Sequence, residues 1–284
     1  MAIGVFDSGV GGLTVHRALV DQLPGTDLLY LADQAMAPYG GRPGEEIVDL
    51  TRAGCEQLFE RGCDLIILAC NTASAIALRR LQQTWLPGVR RARARPSNIL
   101  GIIVPTIEAA TGLPWEHEAE RRGEKVEQLD VLGVFSTPGT AASRVYEIEI
   151  DKRRQDVAVF SEPCPNLARM IEDGAEEADL AAVVAAHVAA LAQRIGRAPD
   201  RAILGCTHYE IIAGLFRAAL PPGTPLIHQP VATAEAVRRY LERHPEYLAE
   251  GEAGERRFLT TGRPGPQNGR VSTFWGGPLR FEAV

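Results

Sequence analysis

The stretch Asp64-Leu65-Ile66-Ile67-Leu68-Ala69-Cys70-Asn71-Thr72-Ala73-Ser74-Ala75 decides how the rest of the chain is organised. Leu65 to Ala69 is an unbroken apolar run, too short for most helices and too uniformly apolar for a half-exposed strand. Such a run suits a strand of a parallel sheet that is covered on both faces. Cys70, Asn71 and Thr72 follow at once, and then Ala73, Ala75, Ala77, Leu78 and Leu81 predict a helix over 72–83. Cys70 therefore falls at the carboxyl end of a buried strand, where open α/β sheets bind ligands.

A second copy lies downstream. Ala202 to Gly205 leads into Cys206, Thr207 and His208, with a helix predicted from near Tyr209. The upstream partners repeat as well, since Gly4-Val5-Phe6 runs into Asp7 and Ser8 while Gly133-Val134-Phe135 runs into Ser136 and Thr137. Gly4 precedes Cys70 by 66 residues and Gly133 precedes Cys206 by 73, so order and spacing both repeat. Two related α/β units follow, each offering one cysteine. The expected fold class is α/β: two pseudo-symmetric α/β domains, each with a central mostly parallel sheet, and a site in the cleft between them. The first is expected over 1–98 plus 228–284, carrying Cys70, and the second over 99–227, carrying Cys206.

Composition narrows the function classes. A length of 284 residues suffices for two cores, and 45% hydrophobic with 23% charged residues is ordinary for a globular chain. A net charge of −6 leaves no nucleic-acid footprint, and the basic run Arg90, Arg91, Arg93, Arg95 reads as part of a solvated loop over 85–97. No segment reads as long enough to cross a membrane, and the N-terminus enters a strand without signal-peptide regions. The cytoplasm is the expected location. Five cysteines, none in C-x-x-C spacing, argue against a disulfide framework and structural zinc, and Cys55 and Cys63 read as small packed apolar residues.

In chain order, the glycine-rich turn Asp7-Ser8-Gly9-Val10-Gly11-Gly12 lacks the endings of a nucleotide-phosphate loop and the dinucleotide spacing. It leaves a carboxylate and a hydroxyl at a strand end; on the turn alone, Asp7 reads as an N-cap. Strands are predicted over 27–31, 99–104 (the entry to the second unit), 129–135 and 157–160, and a long helix over 176–195. The charged segment 113–128, with Glu116, Arg121 and Lys125, reads as a solvated excursion. The segments 226–228, 233–241 and 258–261 read as a return to the first domain, and the tail from 262 as irregular.

Two thiols facing each other across a cleft suit a reaction that needs a base on one side of a carbon and an acid on the other. A thiol fills either role because its pKa, roughly 8.5 when free, is moved by its neighbours. Asp7 can serve Cys70, and His208 lies two residues from Cys206. Two other arrangements use the same residues. A Cys–His hydrolase or acyl transferase would employ Cys206 and His208 and leave Cys70 idle. A two-lobed binding protein would close on an amino acid without reacting.

Phe6-Asp7-Ser8-Gly9-Val10-Gly11-Gly12-Leu13, Pro38-Tyr39-Gly40, Ala69-Cys70-Asn71-Thr72-Ala73 and Leu204-Gly205-Cys206-Thr207-His208-Tyr209 closely resemble, in that order and over nearly the whole chain, the aspartate/glutamate racemase family. The resemblance implies a cofactor-independent interconversion of L- and D-glutamate, the D-isomer serving peptidoglycan, by a homodimer with neither metal nor pyridoxal phosphate. It implies that Cys70 takes the Cα proton from the D-isomer and Cys206 from the L-isomer. It further implies Asp7 as helper to Cys70, and His208 with Glu172 as helpers to Cys206. Ser8, Tyr39, Gly40, Asn71, Thr72, Thr137, Thr140 and Thr207 would hold the substrate. The chain departs from the family pattern at Glu210, where proline is usual, and at Gln229-Pro230, in place of Asp-Ser or Asp-Gly.

Overall fold

A computed structural model of the chain describes residues 2–115, 129–248, 254–267 and 270–284. The organising run forms β3 (Cys63–Leu68), every residue of which is buried. It pairs in parallel with β1 (Ala2–Asp7) on one side and β4 (Asn98–Gly101) on the other. β2 (Asp27–Ala32) lies beyond β1, again parallel. The second unit is built from β5 (Asp130–Ser136), β6 (Val157–Pro163), β7 (Arg201–Gly205) and β8 (Leu226–Ile227), all parallel in the order β6-β5-β7-β8. The chain then returns to the first sheet with β9 (Arg256–Thr260), β10 (Gly265–Gln267) and β11 (Leu279–Ala283), giving the order β10-β11-β9-β2-β1-β3-β4. Two mostly parallel sheets with helical crossovers make this an α/β fold.

Strand and helix limits correct the sequence reading at several points. The strand expected over 99–104 to open the second unit is β4, and it closes the first sheet; the boundary placed at 98/99 passes through it. Likewise 226–228 does not return to the first sheet, because β8 pairs with β7. The expected loop over 85–97 contains the helix Leu86–Arg93, whose early proline occupies a position where its missing N–H is not needed. Its arginines are not simply solvated: Arg93 and Arg95 donate to the two oxygens of buried Asp64 at 2.9 and 2.5 Å. The tail taken as irregular supplies two strands and the helix Arg270–Trp275. The helix predicted over 72–83 divides at Ala77 into Asn71–Ile76 and Leu78–Thr84. The chain after Cys206 first makes a 3-10 segment, Thr207–Ile212, before the helix Ala213–Ala219. Most of the charged excursion, 116–128, lies outside the described residues.

The helix Glu177–Ile195 also corrects the expectation about membranes, since by length and composition its 19 residues could cross one, with a mean hydropathy of 1.4. Alanines raise that value without adding large side chains. Leu180, Val184, Val188 and Leu191, spaced at three and four residues, form one stripe buried in the core. The same core cluster holds Ile3, Leu13 and Leu19 from the first unit and Phe135, Leu204 and Phe216 from the second, so the two sheets share apolar packing.

Candidate active site

Both strand ends that carry the repeated cysteines open on one cleft. Its lining includes Cys70 with Ser8, Asn71 and Thr72 on one side, and Cys206 with Thr207, His208 and Glu172 on the other. Empty space there amounts to about 410 Å³ including its mouth.

Cys70 is the N-cap of the helix Asn71–Ile76, with its sulfur 3.5 Å from the Ala73 N–H and 3.3 Å from the Ser8 hydroxyl. Burial, reinforced by the Asp7 charge, pushes this thiol up to about 12, against the smaller opposing effect of those two hydrogen bonds. At neutral pH Cys70 holds its proton. Asp7 ties down the glycine-rich turn, Oδ2 accepting from the Gly9 and Gly12 N–H groups at 3.1 Å each, while Oδ1 has no partner among the described residues. Burial raises the Asp7 carboxyl above the usual carboxylate range, outweighing the pull of His208 and the two backbone donors.

Cys206 has different company. Its sulfur lies 3.7 Å from His208 Nδ1, and His208 Nε2 lies 2.6 Å from Glu172 Oε1. Burial favours a neutral ring, but the bonds to Cys206 and Glu172 prevail and raise His208 well above the ordinary histidine range. For Glu172 burial is the largest single influence and opposes ionisation; His208 overcomes it and holds the carboxyl low. His208 and Glu172 thus form an imidazolium–carboxylate pair directed at one sulfur. Among the described residues, no three His, Cys, Asp or Glu side chains converge in a way that could hold a metal.

No family model matches the chain. It is 80% identical over 284 residues to the glutamate racemase of Caulobacter sp. (strain K31), covering all of both sequences. To the glutamate racemase of Phenylobacterium zucineum (strain HLK1) it is 76% identical over 282 residues, 99% of each. The chain belongs to the glutamate racemase family. The fold agrees: glutamate racemase isoform RacE1 from Bacillus anthracis superposes with a TM-score of 0.81 at 29% identity, over 100% of this chain and 97% of that one. The glutamate racemase from Francisella tularensis, solved in complex with D-glutamate, gives 0.78 at 26% identity over the same shares.

Within this glutamate racemase family member, the residues singled out from sequence fall into three groups. Cys70, Cys206, His208, Glu172, Ser8, Tyr39, Gly40, Asn71, Thr72, Thr137 and Thr207 line the cleft. Thr140 stands behind its rim, 3.3 Å from Thr72 and 3.1 Å from Thr137, whose hydroxyls are themselves 3.0 Å apart and so join the two units. Asp7 is buried below the cleft. Tyr39 does not offer its hydroxyl to the cleft, because it donates to Asp33 Oδ2 at 2.6 Å; its ring and the following Gly40 backbone remain. Sequence reasoning missed Gly9, Ala37, Pro38 and Ala168 in the lining, and it missed Tyr146 and Gln229, which hold Asn71 from behind, and Thr106, which accepts from Gln229. Gln229 alone had left a signal, as a departure from the family pattern.

Proposed function

We propose that this chain racemises glutamate without a cofactor, by two-base proton exchange at Cα between Cys70 and Cys206, and so supplies D-glutamate for peptidoglycan. The observation that carries this reading is that two thiols with opposite surroundings line one cleft. Cys70 is held as a proton donor, and the Cys206 sulfur lies 3.7 Å from Nδ1 of the His208–Glu172 pair. In the L-to-D direction Cys206 takes the Cα proton and Cys70 delivers its own to the opposite face. In the reverse direction Cys70 must first lose its proton, and Asp7, with its raised affinity for one, is suited to receive it. Ser8, Tyr39, Gly40, Asn71, Thr72, Thr137, Thr140 and Thr207 would bind or shape the site for the substrate's ammonium and carboxylates.

On this reading the cleft separates two domains, one built on β1–β4 with β9–β11 and the other on β5–β8. The homodimer implied by the family resemblance and the cytoplasmic location expected from the sequence belong to the same proposal.

Incubation with L-glutamate in D2O tests it. Deuterium at Cα of both enantiomers, with no pyridoxal phosphate or metal added, is the expected outcome, and Cys70→Ser and Cys206→Ser should each abolish steady turnover. Retained protium and unchanged chirality in a folded preparation would reject racemisation and favour a binding protein. Release of ammonia or an acyl product would indicate the hydrolase.

A further inference from the structure

We infer that Gln229 is a positioning residue that fixes the Asn71 amide with a hydrogen-bond donor free for the substrate, and that it joins the turns carrying the two cysteines. The inference rests on glutamate turnover being the activity of the cleft. Gln229 is fully buried at the start of the helix Gln229–Arg243. Its Oε1 accepts from Asn71 Nδ2 at 2.7 Å, and its Nε2 lies 2.9 Å from Thr106 Oγ1, 2.9 Å from the Tyr146 hydroxyl and 3.1 Å from Asn71 Oδ1.

The polarity of this cluster is determined. Thr106 donates its only hydroxyl proton to the Ile102 carbonyl at 2.6 Å, so toward Gln229 it can only accept. The Gln229 NH2 must therefore face Thr106, which directs Oε1 at Asn71 Nδ2. Tyr146 accepts from Gln229 and donates to Asn71 Oδ1 at 2.8 Å, which holds the Asn71 carbonyl in the network. With its oxygen held by Tyr146 and one N–H given to Gln229, Asn71 keeps one N–H uncommitted among the described residues, and Asn71 lines the cleft. A neutral donor in that place suits a carboxylate and disfavours a cationic group.

The backbone of Gln229 reaches the other half. Its N–H donates to Glu210 Oε1 at 3.0 Å, and Glu210 Oε2 holds His228 Nδ1 at 2.9 Å. Glu210 belongs to the same 3-10 segment as His208. The two departures from the family pattern, at 210 and 229, thus meet in one hydrogen bond.

The test is Gln229→Met, which keeps the length of the side chain and removes its hydrogen bonds. KM for glutamate should rise about tenfold, the effect of weakening one hydrogen bond to a charged group, with kcat within about threefold. Combined with Asn71→Ala, the change should add nothing to the KM of Asn71→Ala alone. A role confined to packing would lower thermal stability and the active fraction while leaving KM unchanged, or would add fully to Asn71→Ala; either result overturns the inference. Should Gln229→Met fail to fold, Tyr146→Phe removes one hydroxyl from the same network; a KM increase of about threefold, absent on the Asn71→Ala background, is expected, and no increase rejects the role. Wild type assayed in parallel separates the two readings. No racemisation by wild type overturns both, whereas an active wild type with an unchanged KM in the variant rejects only the role of Gln229.

Discussion

Gly11→Ala tests whether the glycine-rich turn serves the Cys206 side of the reaction. Gly11 is not among the glycines with positive φ, so alanine meets no backbone strain there and the perturbation is purely steric. A Cβ at this position would lie 2.5 Å from both His208 Nδ1 and Thr207 Oγ1, and 2.7 Å from His208 Cε1. Reaching ordinary contact at 3.4 Å demands about 0.9 Å of movement. The His208 ring cannot swing freely, being buried, bonded to Glu172 through Nε2 and packed edge-on against Phe274 at 5.4 Å. The displacement therefore falls on the 3.7 Å approach of Nδ1 to Cys206. A misplacement of about 1 Å at a reacting group costs on the order of 100-fold in rate, so kcat for L-glutamate should fall by that factor. Racemisation followed by circular dichroism, alongside a thermal unfolding curve, gives both quantities. Gly25→Ala, where a Cβ meets nothing within 4 Å among the described residues, serves as the control and should be silent. Gly11→Ala turning over within twofold of wild type, with unchanged Tm, would refute the reasoning.

Glu172→Gln removes the carboxylate that helps hold His208 charged, so the imidazolium should lose its proton at a lower pH. The alkaline limb of the kcat profile should move toward acid, and an unmoved limb would detach Glu172 from His208. The sign for stability is the same: the raised histidine contributes fully below about pH 6.5 and loses its contribution as pH rises through the folded value, and the variant lacks that window. His16 behaves oppositely. Fully buried among Tyr30, Phe258 and Trp275 with neither ring nitrogen bonded among the described residues, it is pushed down to about 3, chiefly by burial and then by Arg256. The unfolded chain takes up a proton near pH 6.5 and the fold does not, so stability falls as pH drops toward 3 and is lower by about 2 kcal/mol at pH 5. Urea unfolding of His16→Leu at pH 7 and pH 5 should show that loss reduced by the same amount; equal losses in variant and wild type would contradict it.

What the sequence determined by itself was what neighbouring residues determine together. β3 was legible because a short apolar run must be buried on both faces, and Cys70 and Cys206 were legible because each stands where such a run gives way to polar residues. The duplication of Gly-Val-Phe and cysteine landmarks supplied the two α/β units. The tertiary structure decided whatever rests on partners far apart in the chain. β4 looks like any strand until β3 is seen beside it, and β8 until β7 is. Arg93 and Arg95 read as solvated because Asp64, which burial leaves in need of both, is about thirty residues away. Glu172 entered only through family resemblance, since nothing within the helix Leu167–Asp173 points to a histidine 36 residues later. Gln229 shows the difference most plainly: hydrophobic periodicity is written in adjacent residues, whereas the direction of a buried amide is set by which distant hydroxyl has already given its proton away.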